Sequence, residues 1–223
     1  MPKLIEMLNK NMLTLVVALP KNDPELAEAA VKGGADALQL HINTPGFGDF
    51  AGEKENLAKV LKAVNVPVGI VTGAKKHASQ LEMDKLKKMG IDFFNLDMEN
   101  MPEYAAKVKG PSKVIALGPR FTIDLVLGVQ KYNAEAVDAT IIPATGWGKN
   151  LLVGDLQNYI SIVLSAGIPV IVPTEKRIHP SEVAIISDAG AKGLLLTSMI
   201  TGNTAKHVHD ATLTYRAAID DLG

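Results

Sequence analysis

The sequence contains no cysteine. Disulfides, iron–sulfur clusters and thiolate zinc sites are therefore excluded, and a reducing compartment is permitted. An excess of charge of either sign is also missing. Lys plus Arg number 23 against 24 for Asp plus Glu, a formal net charge of −1. With no basic surplus to neutralise phosphates, nucleic-acid binding is not expected. Long apolar runs are lacking too. The run from Met12 to Pro20 is too short to cross a bilayer, and the opening residues show no small-residue cleavage pattern of a secretory signal. No membrane partner is expected, and a cytoplasmic location is. Aromatic residues are scarce, 4% with a single tryptophan. A triphosphate-binding loop is absent. "TGWGKN" lacks both the spacing and the hydroxyl residue after Lys149, and "GIVTGAKKH" sets Ala74 between Gly73 and Lys75. His207 and His209 lie two apart on a predicted helix and do not share a face, so no metal site is expected.

What is present is a repeat of form. The chain has 223 residues, 47% of them hydrophobic, enough for a large core. Short apolar runs recur at Leu13–Pro20, Asp36–Asn43, Pro67–Gly73, Asp92–Asp97, Lys113–Gly118, Ala139–Ala144, Ile168–Pro173 and Gly193–Ser198. Continuous apolar runs of this length suit strands buried on both faces of a parallel sheet. Amphipathic helical stretches follow them. Asp23-Pro24-Glu25 reads as an N-cap, a first-position proline and an early acid, and Asp155 after Gly154 reads as a second N-cap. Gly33-Gly34, Gly90, Gly167 and Gly190 read as helix ends. Eight strand–helix units spaced by about 25 residues predict a single-domain (β/α)8 TIM barrel over residues 1–223. An open doubly wound sheet is the alternative, but the first turn, "LPKNDPE", holds none of the glycines a dinucleotide fold carries there.

In such a barrel the active site lies at the C-terminal ends of the strands. Gln39, His41 and Asn43 alternate, so they share a face. Polar groups entering a barrel core need partners or a function. Asp97 ends the otherwise apolar "FFNLD", just past Asn95, and "PTEKRIHP" brings Thr174, Glu175, Lys176 and Arg177 into one turn. Trp147, between two glycines, reads as a rim ring or a substrate wall. "TSMITGN" ends strand eight in hydroxyl residues at a helix start, where many barrels bind phosphate. Arg177, Thr197, Ser198, Thr201 and Gly202 are the expected phosphate contacts. Gln39, Asn43, Asn95, Trp147 and Thr174 are the expected substrate contacts. The glycine-bearing "NTPGFGDFAGEKEN" after strand two is expected to form a mobile cover.

These stretches also resemble a known group. "GIPVIVPTEKRIHPSEVAIISDAGAKGLLLTSMITG" is similar to the closing third of ribulose-phosphate-binding barrels, above all thiamine-phosphate synthases and N-acetylmannosamine-6-phosphate 2-epimerases. "FFNLD" resembles the epimerase strand four and "PATGW" its strand six, and Gln39 falls where that family has a basic substrate-binding residue. Two positions depart. The strand-three lysine of that family aligns near Gly73, and its strand-seven acid falls at Thr174 or Glu175.

The resemblance implies an enzyme on a small phosphorylated substrate, by isomerisation or epimerisation. Epimerisation beside a carbonyl needs a base and an acid. Lys75 or Lys76, Asp97 and Glu175 are the candidates, with His41 to polarise the carbonyl. A Schiff-base aldolase or a synthase on the same scaffold is one alternative. A non-catalytic binder of flavin mononucleotide (FMN) or another phosphometabolite is another. No cofactor is otherwise expected, and a homo-oligomer is compatible with this scaffold.

Overall fold

Eight short apolar runs pair in chain order into a closed parallel barrel. The structure is a computed structural model and describes residues 3–223. A helix, α1 (Lys3–Lys10), precedes the barrel. Then follow β1 (Thr14–Ala18), α2 (Pro24–Lys32), β2 (Ala37–His41), α3 (Phe50–Ala63), β3 (Val68–Val71), α4 (Gln80–Met89), β4 (Phe93–Asp97), α5 (Glu103–Lys107), β5 (Ser112–Ala116), α6 (Ile123–Gly128), β6 (Ala136–Asp138), α7 (Val153–Ala166), β7 (Val170–Pro173), α8 (Val183–Asp188), β8 (Gly193–Leu196), α9 (Ser198–Thr201) and α10 (Ala205–Asp220). Closure is made by β1 on β8, with Val16 opposite Leu195. This is the (β/α)8 barrel the strand spacing predicts.

Both faces of each strand are covered, which is why the strands read as unbroken apolar runs. Outward residues such as Leu15, Leu38, Ile70, Phe94, Ile115 and Val172 join the core beneath the helices. Inward residues at the lower end, among them Val16, Ala37, Phe93, Val114 and Ile171, cluster with Leu4, Ile5 and Leu8 of α1. Helix α1 therefore plugs the bottom of the barrel. Its first turn is fixed by Asp92, whose carboxylate accepts the N–H groups of Lys3 and Leu4 at 3.0 Å each. Free N–H groups at a helix start need such an acceptor. The plug dictates one glycine. A Cβ on Gly69 would lie 2.2 Å from the Phe93 ring, so β3 must be bare where that ring fills the barrel.

Three boundaries differ from the sequence reading. Strand six is Ala136–Asp138, ahead of Ala139–Ala144. Ile141 and Ile142 are buried under the following loop instead of paired in the ladder, so the apolar run outlasts the strand. Helix α7 is capped at Leu152, not Asp155. Asp155 sits one turn in, and its carboxylate reaches back to the Leu152 N–H at 2.9 Å. The long segment after β2 is half helix, because Asp49 caps α3 by accepting from the Gly52 N–H at 3.0 Å.

Candidate active site at the C-terminal barrel mouth

Side chains on one strand face recur every second residue. In this barrel that period carries the inward row from apolar to polar toward the mouth. Gln39 and His41, Asn95 and Asp97, Asp138 and Thr140, and Pro173 and Glu175 all line one cavity, with Leu195 and Thr197 completing the wall. The cavity measures about 600 Å³, within the range of small-molecule sites. Thr44, Pro45, Gly46 and Phe47 of the β2–α3 loop roof one side and Trp147 the other.

A polar network crosses the floor. The Asn95 side-chain amide donates to Gln39 Oε1 at 2.9 Å and to Asp138 Oδ2 at 2.7 Å. The Thr140 hydroxyl donates to Asp138 Oδ1 at 2.7 Å. Burial pushes the Asp138 carboxyl above its ordinary range, and these two donors pull it back. Glu175 is only 6% exposed. Burial pushes its carboxyl up to about 8, against the Ile142 N–H that donates to Oε2 at 3.0 Å, with the nearby Asp138 adding to the rise. The two acids thus face one space in different settings.

The other walls are held from behind. Asn22 clamps the end of β2, donating to His41 O at 2.7 Å and to Glu53 Oε2 at 3.0 Å while accepting from the His41 N–H. The His41 ring packs on Phe47 with centroids 4.7 Å apart. Burial lowers its pKa to about 4, so it is neutral at physiological pH. Its Nδ1 is buried without a hydrogen-bond partner. The Trp147 indole donates to Ile142 O at 3.0 Å, which ties the rim ring to the residue that holds Glu175. Asp97 turns its Oδ1 to the backbone and side-chain nitrogens of Asn100.

The sequence-derived candidates divide. Asp97, Glu175, His41, Gln39, Asn95, Trp147, Thr197 and Ser198 come together on this cavity. The rest do not. Lys75 is exposed and lies outside the wall, which Gly73 and Ala74 form there. A Cβ on Gly73 would meet Lys76 O at 1.9 Å, so the chain turns tightly there and carries the lysines off. Asn43 has φ +55° and donates to Thr72 O at 3.3 Å, a loop-shaping role. Thr174 is fully buried and accepts from the Thr197 N–H at 2.9 Å. Arg177 is exposed, its N–H donating to Lys149 O. Thr201 is the buried last residue of α9, and Gly202 lines a separate surface depression beside His207. Two wall residues, Asp138 and Thr140, are absent from the sequence-derived set. Asp138 interrupts the apolar "AVDAT" as Asp97 ends "FFNLD", but a strand begun at Ala139 leaves it out. Among the described residues no group of three or more His, Asp or Glu is placed to hold a metal ion.

A closed parallel barrel with convergent polar residues at its C-terminal mouth is the layout of (β/α)8 enzymes. The fold is a closed (β/α)8 barrel. The chain is similar to thiamine phosphate pyrophosphorylase from Pyrococcus furiosus, with 20% identity, TM-score 0.66, and 95% of this chain and 98% of that one covered. It is similar to N-acetylmannosamine-6-phosphate 2-epimerase from Clostridium perfringens, with 17% identity, TM-score 0.63, and 88% and 90% covered. It is also similar to KGPDC from Streptococcus mutans, with 13% identity, TM-score 0.71, and 95% and 99% covered. No family model matches the sequence, and no curated protein matches it.

Proposed function

We propose that the protein is an enzyme that moves a proton on a small phosphorylated metabolite, as an isomerase or epimerase. The observation that carries this is the pair Asp138 and Glu175, two desolvated carboxyl groups opening on one cavity. Paired acids whose surroundings differ divide the roles of acid and base. Glu175, pushed up to about 8, holds a proton at neutral pH and serves as the acid. Burial raises the Asp138 carboxyl, hydrogen bonds from an amide and a hydroxyl offset part of that rise, and Asp138 serves as the base. Neutral His41 polarises a carbonyl from the β2 side. Asp97, at the rim, orients substrate hydroxyls through its open oxygen.

The phosphate lies against Thr197 and Ser198, whose hydroxyl-bearing residues form the cavity wall at the end of β8. The phosphate in the names of two of the similar structures supports a phosphorylated substrate. The test is solvent exchange. A panel of aldose and ketose monophosphates is incubated in D2O and followed by proton NMR. The expected result is deuterium at the carbon beside the carbonyl of one substrate, lost in Asp138→Asn and in Glu175→Gln. Exchange that persists in both variants would overturn the assignment. For the phosphate end, Ser198→Asp is expected to abolish binding of that substrate by placing a like charge beside its phosphate.

A further inference from the structure

The cavity wall is one-sided in charge. It carries three carboxyl groups, Asp97, Asp138 and the protonated Glu175, and among the described residues it carries no lysine or arginine. The cations nearest in sequence do not balance them. Lys176 is buried and paired with Asp155 at 3.0 Å. Lys75 and Arg177 are exposed and outside the wall. His41, which does line it, is neutral. A substrate with a second anionic group would face acids and no counter-charge, and like charges in one desolvated site cost affinity.

A cationic group meets the reverse situation. Asp97, a wall residue, spends Oδ1 on Asn100, and its Oδ2 accepts no hydrogen bond from the described residues. Each oxygen of Asp138 accepts one hydrogen bond and has a further lone pair. His41 belongs to the same wall, and its Nδ1 is buried and unpartnered. A neutral imidazole nitrogen can accept an N–H. These acceptors converge from β2, β4 and β6, opposite the hydroxyls at the end of β8.

We propose that the substrate carries a protonated amine at the end remote from Thr197 and Ser198, held by Asp97, Asp138 and Nδ1 of His41. The phosphate end rests on the function proposed above; the amine end does not. A substrate of amino-sugar size, with an amine to face the carboxylates and a phosphate at the far end, suits a volume of about 600 Å³.

The two ends separate in a calorimetric grid of glucosamine, glucose, glucosamine 6-phosphate and glucose 6-phosphate, with 6-phosphogluconate as the doubly anionic probe. At pH 7 each amine is expected to bind about tenfold tighter than its hydroxyl counterpart, the difference between a charge-assisted and a neutral hydrogen bond. The phosphogluconate is expected to bind weakest. Asp97→Asn and Asp138→Asn are expected to bring the amine-to-hydroxyl ratio toward one and to leave the effect of the phosphate unchanged. A wild-type ratio of one or less, no heat from either amine, or a ratio unchanged in both variants overturns the amine assignment. Equal binding of phosphorylated and unphosphorylated partners overturns the phosphate reading instead, and the amine ratio still stands.

Discussion

At the scale of single residues, the site depends on which protons are held inside the barrel. Glu175 is buried and raised to about 8, so a substitution can remove its proton without removing its shape. Glu175→Gln keeps an oxygen for the Ile142 N–H and is expected to fold. Its turnover is expected to fall by about 10²- to 10⁴-fold, the usual worth of a general acid. The basic limb of the wild-type pH–rate profile, near pH 8, is expected to vanish with it; steady-state kinetics between pH 5 and 9 check both. Asn95 acts through others. It joins Gln39 to Asp138, so Asn95→Leu strands two acceptors at about 1–3 kcal/mol each. Loss of a donor to a carboxylate raises its pKa. The acidic limb of the surviving activity is therefore expected to move to higher pH, a shift that general loosening of the fold does not produce.

At the scale of elements, Phe93 and Gly69 are one feature seen from two strands. The ring lies where a β3 side chain would be, directly above the α1 plug. Gly69→Ala forces ring and strand apart, and overpacking of this kind costs about 1–3 kcal/mol or more. For a chain of this length that is a fall in melting temperature of roughly 2–12 °C, read by calorimetry, with the fold retained. Most elements are legible because buried parallel strands announce themselves as apolar runs and the helices carry caps. Asp23-Pro24-Glu25 places the start of α2 at Pro24, and the structure begins the helix there. Helix α1 is not legible in the same way. Leu4, Ile5 and Leu8 form a short amphipathic stripe, but nothing in eight residues says that the stripe stoppers a barrel. Strand β6 is three residues long and ends in the acid that matters. Its apolar signal is overtaken by that of Ile141 and Ile142, which belong to the loop.

At the scale of the whole molecule, the mouth is legible as a place more readily than as a set of roles. Alternation after Ala37 names Gln39 and His41, and also Asn43, which the loop turns away to Thr72 O; the polar end of the apolar "FFNLD" names Asn95 and Asp97. The lysines and Arg177 escape such reasoning because a loop residue has no period; only the tight turn at Gly73 and the outward course after Glu175 decide where they point. The same buried groups set the stability of the entire fold. Glu175 has its pKa raised from 4.5 to about 8, so between those values the folded chain keeps a proton that the unfolded chain releases, and stability falls as pH rises. Asp138, also raised, has the same sign. His41 has its pKa lowered from 6.5 to about 4, so between those values the unfolded chain takes up a proton that the folded chain refuses, and stability rises with pH. The two slopes oppose each other from pH 4.5 to 6.5, and above 6.5 only the carboxyl slope remains. Unfolding by urea across this range is expected to give a plateau followed by a decline of a few kcal/mol toward pH 8. In Glu175→Gln the decline is expected to shrink and the rise from pH 4 to 6.5 to emerge. In His41→Phe the plateau is expected to become a continuous fall. A wild-type curve that climbs from pH 6.5 to 8 would mean that Glu175 is ionised in the folded protein, and the acid role would pass to another group.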